Sequence, residues 1–379
     1  MKKHYKYFYD NFDGLHFAAH SHHPWPDCTF EAQKKYWQLS NKLLDHKWNQ
    51  IFSKHIPEFK KNVCDLLNTQ NNELISFAGN THDFLVRIFS LDNFKKPIRI
   101  LTSDSEFHSF NRQVDRMKES GQVELRKIGL SFDGSFENKI LEELEENEYD
   151  YLFLSHTFFN SGYILQQLNE IVQKAHSKNI TPIIDGYHAL GAIPVDLSKV
   201  EGKLFYLGGS YKYLQGGEGA AFCLVPNMSF RPMITGWMAD FNSLDNYSEE
   251  INYSKLGNSF LGATFDPSGI FRFNAVCKLY QDQNMTIEKS HSLVKELQRK
   301  FIESMESHSL FGIKNLLISD LNKIGNFITY KLDNASQLCT RLKELGISVD
   351  SRSDRLRFGF GLYQDQEYVE KLIGILKTI

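Results

Sequence analysis

A chain of 379 residues with 41% hydrophobic residues and a formal net charge of −3 carries enough core for two packed domains and shows no disorder signature. The near-neutral balance excludes a broad basic face, and with it nucleic acid or an anionic membrane as the principal partner, so a small molecule is expected. The five cysteines (Cys28, Cys64, Cys223, Cys277, Cys339) form no CxxC and no paired spacing, which excludes a disulfide framework and a zinc site, and no apolar run approaches the roughly 18 residues of a membrane span.

The opening MKKHYKYFYDNFDG has basic residues with no apolar stretch behind them, so no secretion signal is read and a cytoplasmic location is expected. Residues 14–27, GLHFAAHSHHPWPD, are irregular and precede a helical pattern from about Thr29 to Lys47. Within them His20, Ser21 and His22 lack the spacing and the further partner of a metal site, and no metal is assigned. Glu73 to Leu91 reads as a strand, a tight Gly79-Asn80 turn and an amphipathic helix with Phe84, Leu85, Ile88 and Phe89 on its apolar side. Helix N-termini attract anions through free amides and the macrodipole, so Thr81 and His82 are phosphate candidates, although a threonine there is equally an N-cap. The strand Ile98 to Thr102 then empties into Ser103–His108 ahead of a helix. VELRKIG, an acidic helix around LEELEENEYD and YLFLSHTFFNSG, whose strand ends at Ser155, come next. A helix from about Gln167 to Asn179 crosses back to ITPIID. The βαβ units thus recur from residue 74 to 226, and a mostly parallel sheet of seven strands is expected, with its site at the carboxyl ends.

Asp185 stops the β-branched run ITPIID at such an end. LFYLGG is followed by Lys212, flanked by Tyr211 and Tyr213 and then by Gly216, Gly217 and Gly219, and AAFCLV closes a hairpin through QGGEG. A lysine among aromatics is partly desolvated, which frees its amine for Schiff-base formation, and an aspartate facing it can keep a pyridinium nitrogen protonated. Those are the two groups that pyridoxal phosphate demands, though a surface lysine and a strand-end aspartate would read alike in isolation. Beyond Pro226 lie RPMITGWMADF and FLGATFDPSGIFRF, a long helical pattern over 281–310, and NFITYKL, ASQLCTRLKELG and RLRFGFG before a last helix. That final set is expected to form a small α/β domain, in which Arg357 offers a bidentate fork for a carboxylate.

DGYHALGAIPVDL followed by GGSYKYLQGGEGAAF resembles the core of the class V aminotransferase superfamily of fold-type I pyridoxal-phosphate enzymes, in particular its kynureninase-like branch. The likeness runs over most of the chain and is weakest before residue 70 and between 280 and 340. It implies an α/β, aspartate-aminotransferase-like architecture: a segment 1–50 lining the substrate mouth, a large cofactor-binding domain over 51–265 and a small C-terminal domain over 266–379. It makes Lys212 the Schiff-base lysine and Asp185 the partner of the ring nitrogen, both catalytic. It implies His188 near the ring oxygen, Tyr211 at the phosphate, Asn80, Thr81 and His82 in the phosphate loop, Ser155 near the ring and Trp237 near the phosphate. Phe107 becomes the residue stacked on the ring, with His108 as the fallback. The turn of Thr264 would reach the cofactor of a neighbouring subunit, which implies a homodimer. Arg357 becomes the substrate carboxylate clamp, with Arg355 toward solvent, and His20, Ser21 and His22 line the mouth where kynureninases usually carry a Gly-Asn-Ser-Leu-Gly type opening. The implied activity is hydrolysis of a carbon–carbon bond beta to the amine of a small amino acid, with class V transamination or another lyase reaction as the alternative. Cysteine desulfuration is disfavoured, because the stretch before Arg357 reads SVDSRSDR and Cys339 falls inside a helical pattern.

Overall fold

Residues 1–243 and 250–379 are described in this computed structural model. Their strands form three sheets: β1 (Leu15–His16), β2 (Ile75–Ala78), β3 (Ile98–Ser103), β4 (Val123–Ile128), β5 (Tyr151–Ser155), β6 (Thr181–Asp185), β7 (Phe205–Gly209), β8 (Ala221–Leu224), β9 (Phe327–Lys331), β10 (Ile347–Ser348), β11 (Asp350–Arg352) and β12 (Arg355–Gly359). The central sheet has the expected seven strands, in the order β2-β8-β7-β6-β5-β3-β4. Only β8 runs antiparallel to its neighbours β7 and β2; the β7–β6–β5–β3–β4 run is parallel throughout. Strands β5 and β7 are buried along their whole length, as apolar runs covered on both faces must be. Their carboxyl ends share one edge, where Ser155 pairs with Asp185 and Asp185 with Leu207.

The crossover helices Thr81–Phe89, His108–Glu119, Ser135–Glu146 and Leu168–Ser177 bury their apolar faces against this sheet. Two expected helices differ in extent. The first runs Cys28–Leu43 and stops where Leu44 takes φ +48°. The pattern over 281–310 is one shorter helix, Ile287–Met305, separated from the preceding helix Ser268–Asp282 because Asn284 adopts the left-handed conformation and the Thr286 hydroxyl caps the second helix by accepting from the Lys289 N–H.

The small sheet is antiparallel, with β12 between β11 and β9. The helices Ala335–Glu344 and Gln366–Leu376 accompany it. Residues 15–18 run alongside: β1 pairs in parallel with β10, and Ala18 bridges to Gly359. Among the described residues no helix is long and apolar enough to cross a membrane.

Candidate active site

The carboxyl edge of the large sheet brings Asp185 and Lys212 together, and the local sequence explains how. Past β6 the chain turns through Gly186, where a Cβ would meet the Tyr206 ring at 2.2 Å, so only glycine admits the turn. Gly209, at the end of β7, leaves room for Tyr187: a Cβ there would sit 2.2 Å from the tyrosine hydroxyl oxygen. Ser210 ties off the loop that carries Lys212, its hydroxyl donating to the Gly217 carbonyl at 2.5 Å. Arg272 braces the same loop from helix Ser268–Asp282. Its Nε donates to the Gly216 carbonyl at 2.8 Å, its Nη2 to the Glu218 carbonyl, and its guanidinium lies over Trp25 at 5.2 Å. The lysine is therefore presented from a fixed loop.

Lys212 is 5% exposed. Its Nζ lies 2.6 Å from Nε2 of His188 and over the rings of Phe107 (5.2 Å), Tyr187 (5.5 Å) and Tyr211 (5.7 Å). Burial brings its pKa down to about 7; Asp185 opposes that fall and Arg357 adds to it. The neutral amine is thus within reach at physiological pH. Burial also holds His188 well below the ordinary histidine value, reinforced by Lys212 and Arg357, so its imidazole stays neutral. The Asp185 carboxyl is pushed up by burial, while the Tyr187 N–H, donating at 3.0 Å, and Lys212 pull it back.

Asp185, His188, Tyr211 and Lys212 line a cleft of about 300 Å³, together with Phe107 and with Asn80, Thr81 and His82 at the start of helix Thr81–Phe89. The Asn80 side chain accepts from the Asp83 N–H at 3.0 Å and so serves as the N-cap. The amides of Thr81 and His82 have no partner within the helix by position, and no atom lies within 4 Å of a Cβ built on Gly79. This donor set fits pyridoxal phosphate: Lys212 for its aldehyde, Asp185 for its ring nitrogen, Phe107 for its ring face and a helix N-terminus for its phosphate.

Other expected site residues lie outside this cleft. Ser155 is buried and its hydroxyl donates to Glu106 at 2.5 Å. Trp237 and Thr264 meet each other instead on a separate cavity of about 490 Å³, with Trp48, Phe52 and Phe241. Ser21 and His22 are exposed, the latter 3.6 Å from Glu218. His20 is buried, stacked on Phe327 with ring centroids 4.7 Å apart. Arg357 is 3% exposed and already engaged, its Nη2 2.7 Å from Asp350 and its Nη1 donating to the Phe159 carbonyl. Arg355 is not simply solvated: it shares a strand face with Arg357, as a period of two requires, and donates to the Asn160 carbonyl at 3.2 Å.

Glu106 was not singled out by its sequence. It is 1% exposed, accepts from Ser103 at 2.6 Å as well as from Ser155, and burial pushes its pKa up to about 8 against those two hydrogen bonds. The Ser-x-x-Glu spacing at the strand end is the one signal that could have found it. Tyr187 was missed too; nothing marks its ring for the lysine except the glycine it lies against. Among the described residues no three His, Cys, Asp or Glu side chains gather as a metal site would need.

The aminotransferase class-V family profile matches residues 17–372. The kynureninase of Deinococcus radiodurans is 29% identical over 51% of this chain and 48% of its own length, and that of Geobacillus thermodenitrificans 27% identical over 74% and 66%. Each match spans less than two thirds of the relative. A probable cysteine desulfurase of Vibrio cholerae is 17% identical over 93% of this chain and 90% of its own. Among solved structures, an apo cysteine desulfurase of Thermococcus onnurineus NA1 superposes with a TM-score of 0.80 at 17% identity, covering 100% of this chain and 96% of that one. The last comparison concerns fold alone. With the profile spanning nearly the whole chain and a lysine, an aspartate and an aromatic ring brought together in one cleft, the chain belongs to the aminotransferase class-V family and shares its cofactor, pyridoxal phosphate.

Proposed function

We propose that this protein is a kynureninase-like enzyme that hydrolyses a carbon–carbon bond beta to the amine of a small amino acid. The observation that carries the reading is Phe107, whose ring lies 5.2 Å from the Lys212 amine in the position where desulfurases and many transaminases are expected to carry histidine. A cysteine desulfurase reading lacks its nucleophile: Cys339 sits in helix Ala335–Glu344 with its thiol directed at the Val349 carbonyl, and β11 leading to Arg357 contains none. Transamination is the second reading, favoured by the Ala-His-Ser-His-His opening, which departs from the kynureninase pattern.

When bound, pyridoxal phosphate supplies an electron sink for charge developing at the substrate alpha carbon. The chain supplies the rest. Lys212, its pKa brought down to about 7 by burial, would hold the cofactor's aldehyde and, as the free amine, would take the alpha proton at Nζ. Asp185 would hold a proton on the ring nitrogen, and Phe107 with Tyr187 would keep water from the amine. The amino-terminal 50 residues, residues 51–265 and residues 266–379 are proposed as mouth, cofactor domain and small domain. A homodimer is proposed because Met233, Ile234, Trp237, Phe241 and Ile251 are exposed, and Trp237 and Phe241 line a cavity together with Thr264. A cytoplasmic setting accords with five free cysteines. The deciding experiment incubates the holoenzyme separately with kynurenine, alanine plus a keto acid, and cysteine. Alanine released from kynurenine supports hydrolysis, a new amino acid from the keto acid supports transamination, and sulfide would remove both.

A further inference from the structure

Arg357 and Asp350 stand directly opposite each other across the β11–β12 hairpin. Their facing atoms are 2.7 Å apart and the residues are 3% and 9% exposed. The Arg357 Nη1 is taken by the Phe159 carbonyl, while its Nε, buried, has no partner among the described residues. The fork suited to a ligand carboxylate is thus filled by the chain's own carboxylate. The other oxygen of Asp350 is anchored separately, 3.0 Å from Arg352 Nη1.

His20, which is 1% exposed, also approaches Asp350. Its ring lies against Phe327 with an interplanar angle of 27°, and a Cβ on Gly359 would come within 2.4 Å of its Nδ1, so the ring is fixed in place. Among the described residues neither ring nitrogen has a hydrogen-bond partner. Nε2 is 3.9 Å from Oδ2 of Asp350, the same oxygen that Arg357 holds. Buried polar nitrogens are rarely left orphaned unless another state of the protein satisfies them.

We propose that Asp350 is a resident occupant of the Arg357 fork and that a substrate carboxylate binds by exchange, taking Arg357 while Asp350 pivots about its Arg352 contact to accept from His20 Nε2. This rests on the reading that the substrate is an amino acid. Arg352, Arg357 and Asp350 together carry one net positive charge, so the site has an appetite for a single added carboxylate, and a ligand with an amine alone leaves the resident pair in place. His20 then acts as a positioning residue that determines specificity: it receives the displaced aspartate and touches no reacting atom.

The test titrates the pyridoxal-phosphate holoenzyme with alanine and with ethylamine, which lacks the carboxylate, and follows the visible absorbance of the bound cofactor. His20→Phe keeps a flat ring but no donor; it is expected to weaken alanine binding roughly tenfold and leave ethylamine unchanged, while His20→Gln, which restores an N–H, recovers most of the loss. Asp350→Asn removes the competing charge and tightens alanine by roughly the same factor, and in that background His20→Phe has no further effect. If His20→Phe does not fold, the tightening in Asp350→Asn alone carries the result. The proposal is overturned if the two His20 variants shift both ligands alike, if the His20→Phe effect persists without Asp350, or if Asp350→Asn binds alanine no better than wild type. A wild-type holoenzyme whose absorbance responds to neither ligand overturns the amino-acid reading itself, and with it this one.

Discussion

Replacing Glu106 by glutamine tests whether a carboxyl beneath the site is kept protonated by burial. Its pKa rises from an ordinary 4.5 to about 8, with desolvation overcoming hydrogen bonds from Ser103 and Ser155 and the nearby Asp185 adding to the rise. The folded protein therefore retains a proton that the unfolded chain releases, and stability falls as pH climbs from 4.5 toward 8, remaining level outside that window. At about 1.4 kcal/mol per pH unit, the full loss is about 5 kcal/mol. Glutamine has the same shape and does not titrate. Urea unfolding of both proteins, in steps across the window, should show the wild type losing ground to Glu106→Gln as pH rises. A stability difference that stays flat, or moves in favour of the wild type, would refute the account of Glu106 as a buried neutral acid and leave the two serine hydrogen bonds holding an ordinary carboxylate.

Because burial lowers the Lys212 pKa from 10.5 to about 7, capture of added pyridoxal phosphate should rise with pH through a midpoint near 7 and vanish in Lys212→Ala, as read by visible absorbance; a midpoint near the ordinary lysine value would show an exposed amine. Asp185→Asn should retain cofactor, since Lys212 and the helix N-terminus remain, but lose more than about a decade of turnover, and activity within about threefold of wild type would remove Asp185 from the ring-nitrogen role. Gly217 has φ +72° and a Cβ there would meet Trp25 at 2.4 Å, so Gly217→Ala should lose about 2 kcal/mol or more, seen as a fall in Tm; an unchanged Tm would mean that Trp25 yields freely.

The placement of Asp185 and Lys212 at one edge of the sheet was legible because it is written locally: a buried parallel strand is a short apolar run, and the residue that stops it stands at the sheet edge. The helix after the Gly79-Asn80 turn was legible for the same reason, although its N-cap is Asn80 and not the threonine that follows. What escaped depends on register and on tertiary burial. The stretch SVDSRSDR, of which β11 is the three residues Asp350–Arg352, is almost wholly polar and has Ser353 at φ +51° in its turn, so no alternation announces a strand, and without that strand nothing pairs Asp350 with Arg357. Glu106 looks in sequence like any acid in a solvated turn; only the packing of β3, β5 and their helix buries it. Trp237 and Thr264 were borrowed from the resemblance as cofactor contacts, and within one chain they share a different cavity.

The pairing of β1 with β10 has a consequence for how the chain is made. Leu15 is matched to Ile347 and Ala18 to Gly359, so the earlier segment finds its partner strand only after more than three hundred further residues have been added. At about 5–20 residues per second, that is a wait of roughly tens of seconds on the ribosome, with Tyr5 and Phe17, fully buried in the finished protein, still in water. Closing so long a loop belongs late in assembly, after the large sheet has formed. Substitutions at Leu15 or Ile347 should then act mainly by hastening unfolding, with little effect on the rate at which the large sheet folds.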